Sequence, residues 1–197
     1  MLNINDSNCW LMKRFFDFSL AIFLILLFSV LIIITVILVK ITSKGDVLFW
    51  SDRVGKNNKV FKMPKFRSML LDTPLLATHL LDNPGAYLTP IGGFLRLSSL
   101  DELPQLFSVL KGDMSFVGPR PALFNQEALI ALRTSKGVDR LCPGITGWAQ
   151  VNGRDKLSIP DKVVLDVEYL IRRSFWFDMK ILWMTFLRVV SRDGVIH

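Results

Sequence analysis

FSLAIFLILLFSVLIIITVILV, residues 18–39, runs for 22 positions without a charge, and its reading decides the fold. As a helix at 1.5 Å per residue it is about 33 Å long, matching the hydrocarbon core of a bilayer. A cleaved signal peptide is excluded because the usual apolar region is only about 7–15 residues and no A-x-A-like site follows. A buried helix of a soluble protein is disfavoured by an apolar surface on every side over about six turns. The run is therefore a membrane helix. Lys13 and Arg14 precede it, and Lys40 and Lys44 follow it. Cytoplasmic flanks attract Lys and Arg, so both ends belong on one side. A helix that enters, bends and leaves through one face satisfies this, and Ser29, near the middle, is the expected bend: its hydroxyl can bond back to a carbonyl.

Around this segment the 197 residues amount to one domain, 51% hydrophobic, which excludes a disordered chain. Cys9 and Cys142 lie far apart without ligand spacing, and His79 and His197 have no partners near them in sequence. Neither a disulfide scaffold nor a structural zinc site is expected. The formal charge of +7 points to anionic partners. Nucleic acid is set aside, since the cations cluster beside the membrane segment and no recognition motif is present. Phosphorylated small molecules and acidic membrane lipid remain.

Residues 40–67 hold eight cations, including Arg53, Lys65 and Arg67, and within them VLFW (47–50) and KVFKM (59–63) flank the polar stretch Gly55-Lys56-Asn57-Asn58 as a short predicted β-hairpin. Residues 70–90 read as loop, interrupted by Pro74, Pro84, Gly85 and Pro90, and Gly92-Gly93 reads as a turn. Pro160-Asp161 opens a helix reaching about Arg173. Beyond it, Trp176, Trp183 and Phe186 with Lys180 and Arg188 form the pattern of a helix lying in a membrane interface.

The chemistry points to Ser98-Ser99-Leu100-Asp101-Glu102-Leu103-Pro104. Ser99 and Glu102 have capping-box spacing, which alone makes a structural helix start. The same place suits a carboxylate nucleophile, because a helix N-terminus keeps an acid ionised and favours a bound phosphate. Two adjacent acids repel, and a divalent cation such as Mg²⁺ relieves that repulsion, which makes Asp101 and Glu102 the candidate metal ligands. Arg96 lies five residues upstream of Asp101, and Gly118-Pro119-Arg120-Pro121 pins an arginine between two prolines, so Arg120 loses little entropy on gripping a phosphate. The loop 143–154, with Trp148, Gln150 and Arg154, has the composition of a pocket for a base or sugar, although Trp148 also suits a core.

KMPKFRSM (62–69), LSSLDELPQLFSVLKGDMSFVGPRP (97–121) and PGITGWAQVNGR (143–154), placed after an N-terminal membrane helix, resemble the bacterial sugar transferases. More narrowly, the chain is similar to the small monotopic polyprenyl-phosphate phosphoglycosyl transferases over about residues 12–194. That resemblance implies transfer of a sugar-1-phosphate from a UDP-sugar, N-acetylated and often 6-deoxy, to undecaprenyl phosphate. It implies Asp101 as nucleophile, Glu102 assisting, Mg²⁺ as cofactor, and Arg96, Arg120, Lys65, Arg67, Gln150 and Arg154 at phosphate or substrate. In one respect the chain departs from the family pattern: Ser29-Val30 stands where a Ser-Pro pair usually makes the bend. The expected fold is mainly α with a small β-hairpin. Residues 1–12 form a tail, 13–40 a re-entrant membrane helix, and 41–197 a cytoplasmic catalytic domain with interfacial amphipathic helices. The expected location is the bacterial inner membrane, in the first membrane step of a lipopolysaccharide, capsule or glycoprotein glycan. A second copy of the chain is left open as a partner. The rival function is a non-catalytic, membrane-anchored adaptor of glycan assembly.

Overall fold

The computed structural model of the protein describes residues 4–74, 83–153 and 156–191; His79, Arg154 and His197 lie outside them. The apolar run forms two helices, α1 (Ile4–Leu27) and α2 (Ser29–Thr42). Among the described residues no single helix is long and apolar enough to cross a membrane, and Leu11–Leu27 and Ser29–Thr42 meet at 64°. The break falls at Phe28, with φ −95° and ψ 10°. Hydrogen bonding carries across it at the margins, from Phe28 N–H to the Leu24 carbonyl and from Ile32 N–H to the Phe28 carbonyl. The bend thus lies one residue before Ser29, but its expected cause is corrected. Hydroxyls that bond back in this pair are those of Thr35 and Thr42, and Ser29 makes no such bond among the described residues.

Both arms are instead held by the rest of the chain. At the foot of α1, Lys13 pairs with Asp178, Arg14 donates to the carbonyls of Val109 and Leu110, and Asp17 accepts from the Phe116 N–H. Ala21, fully buried, belongs to the main core with Met63, Val109, Phe116, Tyr169 and Ile181. At the far end of α2, Val39 is buried against Phe66 and Leu95. Two of the flanking cations, Lys13 and Arg14, therefore serve within the fold and tie the foot of α1 to the rest of the chain.

The hairpin is where the sequence places it. β1 (Leu48–Val54) pairs antiparallel with β2 (Val60–Phe66), Val54 opposite Val60, across a turn in which Asn57 and Asn58 adopt left-handed φ. Asparagine tolerates that region better than most residues. Gly92-Gly93 is not a turn: it opens α3 (Gly92–Leu97). A Cβ on Gly92 would stand 2.0 Å from the Ser68 carbonyl oxygen, so glycine is needed for close approach to the exit of β2.

α4 (Gln105–Lys111) follows, then β3 (Ser115–Val117), β4 (Ala122–Leu123), α5 (Glu127–Ser135), β5 (Gly144–Thr146) and α6 (Trp148–Val151). β4 adds to β1, giving the order β2-β1-β4, while β3 and β5 form a separate parallel pair. α7 (Ile159–Arg172) is capped by Ser158, whose hydroxyl accepts from Asp161 N–H. α8 (Phe175–Ser191) buries Phe177, Asp178 and Ile181 and leaves Trp176, Trp183 and Phe186 exposed. Trp148, half-buried, packs on Phe177 at the edge of the main core and donates from its indole to Glu168.

Candidate active site

Asp101 and Glu102 lie in a 3-10 turn, Leu100–Glu102, wedged between α3 and α4. The capping box expected of Ser99 and Glu102 is not made. Ser99 has φ +57° and its side chain caps nothing; the Glu102 N–H bonds the Ser99 carbonyl instead. This left-handed residue turns the chain sharply, so that the two acids leave solvent and face β2 and the P-R-P loop. Cations meet them there. Lys65, on β2, donates to Glu102 Oε1 at 2.8 Å, and Arg120 Nη2 donates to the same oxygen at 3.0 Å.

The two acids therefore experience different fields. Burial alone would raise the Glu102 carboxyl, but Lys65 and Arg120 outweigh it and hold it well below its ordinary 4.5. Asp101, only 6% exposed, makes no hydrogen bond among the described residues. Burial raises its carboxyl above 3.8 despite Lys65, and the charge of Glu102 adds to the rise, while Arg96 and Arg120 oppose it. At Asp101 desolvation thus outweighs the neighbouring cations. One acid is fixed by two cations that hold its carboxyl low; its neighbour is raised by burial and makes no hydrogen bond among the described residues.

Arg96 reaches this cluster from α3, with one guanidinium nitrogen 3.5 Å from the Met69 sulfur. Arg67 points elsewhere, donating to the Asp46 carbonyl beside Gly45. Gln150 lies beside Gly147, and both of its amide atoms are buried with no partner. Backbones are crowded here: a Cβ on Gly118 would come within 2.3 Å of the Cys142 carbonyl oxygen, and one on Gly147 within 2.1 Å of that of Gly118. The start of α6, which carries Gln150, therefore presses against the loop carrying Arg120.

The sequence reading missed Arg53. It stands on β1 beside Ser51, donates to the Pro121 carbonyl at 3.2 Å, and feels the charges of Arg120 and Glu102. Burial first, and then Arg120, lower it to about 10. Its alternation with the buried Ser51 along the strand was the available signal. It also missed Arg133 and Asp166, although an aspartate in the buried stripe Val163–Asp166–Tyr169 demands a partner.

A divalent cation fits these donors. No cluster of three or more His, Cys, Asp or Glu exists among the described residues. Mg²⁺ does not need one, since it binds through one or two carboxylates and keeps water or phosphate oxygens in its remaining positions. Asp101 and the second oxygen of Glu102 offer that pair.

Residues 8–192 match the profile described as bacterial sugar transferase. The chain belongs to that family. Among the relatives of this family member, an uncharacterized sugar transferase, EpsL of Bacillus subtilis, is 42% identical over 187 residues, covering 94% of this chain and 90% of its own. The UDP-glucose:undecaprenyl-phosphate glucose-1-phosphate transferase of Escherichia coli is 40% identical over 89% of this chain. The UDP-N-acetylgalactosamine-undecaprenyl-phosphate N-acetylgalactosaminephosphotransferase of Aeromonas hydrophila is 36% identical over 92%. The chain spans only 39% and 44% of the length of these last two.

Proposed function

We propose that this family member transfers a sugar-1-phosphate from a UDP-sugar to undecaprenyl phosphate, releasing UMP and forming undecaprenyl diphosphate-sugar. The observation that carries this reading is the split pair: an unbonded, buried Asp101 among cations, beside a Glu102 tied to Lys65 and Arg120. Asp101 is then the nucleophile. A carboxylate oxygen attacks the β-phosphorus, the bond from that phosphorus to the bridging oxygen breaks, and UMP leaves with the bridging oxygen. The sugar phosphate stays on Asp101 until an oxygen of undecaprenyl phosphate attacks the same phosphorus and frees the carboxylate. A more basic carboxylate is the stronger nucleophile once ionised, which is what burial gives Asp101. Arg120 and Arg96 grip the diphosphate, Lys65 keeps Glu102 anionic, and the orphaned Gln150 amide and Arg154 meet the nucleoside or sugar. When bound at Asp101 and Glu102, Mg²⁺ supplies neutralisation of the diphosphate charge.

Asp101→Asn should abolish both UMP release and capture of a phosphosugar adduct, Glu102→Gln should cripple turnover, and chelation with EDTA should stop the wild type. A substantially active Asp101→Asn enzyme would sink the mechanism. The Escherichia coli and Aeromonas hydrophila relatives are named for UDP-glucose and UDP-N-acetylgalactosamine, so the expected N-acetylated sugar is best tested by screening UDP-sugars for UMP. No UMP from any of them would favour the adaptor instead.

We propose also that α1 and α2 enter and leave the bacterial inner membrane through its cytoplasmic face. Phe18, Phe23, Leu27, Val30, Ile33 and Ile37 on the bent pair are exposed, as are Trp176, Trp183 and Phe186 on α8. An exposed apolar surface of this extent calls for lipid or a partner.

A further inference from the structure

The P-R-P loop owes its rigidity to more than its prolines. Three consecutive carbonyls are held from outside: that of Pro119 by the Gly144 N–H, that of Arg120 by Arg133, and that of Pro121 by Arg53. The rear of the loop borders a small cavity lined by Pro119, Arg120, Pro121 and Arg133, so close packing does not fix it there. Arg133, on α5, makes the shortest of the three contacts, 2.8 Å from Nη1 to the Arg120 oxygen. Its other edge is spent on Asp166 of α7, with Nε and Nη2 at 2.9 and 2.7 Å from Oδ2. Asp166 is 1% exposed.

A buried ion pair is a poor source of stability, since well-packed apolar residues of the same volume usually do as well. What apolar residues cannot supply is a charged donor aimed at a carbonyl in a fixed direction. That donor acts on the residue whose side chain meets Glu102.

We infer that Arg133 and Asp166 are positioning residues of the active site. Asp166 orients the Arg133 guanidinium, which holds the Arg120 carbonyl and so aims the Arg120 fork at Glu102 and the substrate phosphate. Neither residue touches substrate. The inference rests on the phosphate-gripping role proposed for Arg120.

The test uses full-length protein in membranes or nanodiscs and two routes to the same loss. Arg133→Lys keeps a cation for Asp166 but cannot span three contacts with one ammonium. Arg133→Met combined with Asp166→Leu removes both charges and leaves the fold an apolar pair. Each should melt close to the wild type while kcat/KM for UMP release falls about tenfold to hundredfold, the cost of a small misplacement. In an Arg120→Ala background the same changes should cost nothing further, because the residue through which they act is gone. Hydrogen exchange at the Gly118 and Gly144 amides, which bond the Thr146 and Pro119 carbonyls, should rise in both variants, a readout that needs no turnover. Wild-type kinetics with unchanged exchange in the folded variants, or losses that add fully to those of Arg120→Ala, would overturn the inference. A wild-type protein that releases no UMP would instead defeat the proposed function, and the exchange experiment would still decide the loop.

Discussion

Asp101 carries opposite consequences for chemistry and for stability. Its carboxyl is raised by burial, so ionising it opposes folding: the cost is absent below its ordinary 3.8 and complete above its raised value. Glu102 runs the other way. Its lowered carboxyl contributes stability above 4.5 that is lost only as pH falls through its depressed value. Asp101→Asn should therefore melt higher than the wild type at pH values that ionise Asp101, the difference vanishing as acid protonates it. In the wild type, kcat/KM should show an acidic limb of one proton lying above the ordinary aspartate range. Equal melting temperatures at every pH, or a limb at or below 3.8, would place the burial argument in error. The sequence singled out this pair, but its local alternative, a capping box, is not what the backbone makes. Capping-box spacing is present, yet the backbone at Ser99 turns left-handed and delivers Glu102 to Lys65 and Arg120, partners on two other elements. Spacing along a chain reports local geometry and not which distant cations arrive.

Elements defined by periodicity were legible: the apolar run, the hairpin with its asparagine turn, the capped α7 and the aromatic α8. Gly92-Gly93 was misread because its reason is tertiary, the Ser68 carbonyl pressed against it. The bend was legible in place but not in cause. Val30 lies in the first turn of α2, where N–H groups have no helical partner to lose. Val30→Pro should accordingly be accepted, since proline suits the start of a helix. Unchanged membrane recovery and UMP release in that variant would agree. A sharp loss of either would mean that the Val30 amide is used.

For the whole molecule, what matters is that one body holds both ends of the bent pair. Val39 packs with Phe66 and Leu95, while Lys13 and Arg14 reach Asp178, Val109 and Leu110. With Cys9 and Cys142 replaced, a cysteine at Asn3 should resist an impermeant thiol reagent in intact cells and react once the membrane is opened. Labelling in intact cells would mean that the pair spans. The anchoring of α1 has a further consequence, for biogenesis. Its partners lie 95, 96, 99 and 165 positions later in the chain. At roughly 5–20 residues per second, a ribosome takes on the order of ten seconds or more to deliver the last of them. During that interval Lys13 and Arg14 are without these partners. Once Asp178 and the Val109–Leu110 carbonyls emerge, the two cations bond to them and tie α1 to the rest of the folded chain, so α1 is the last-fastened element although it is the first made.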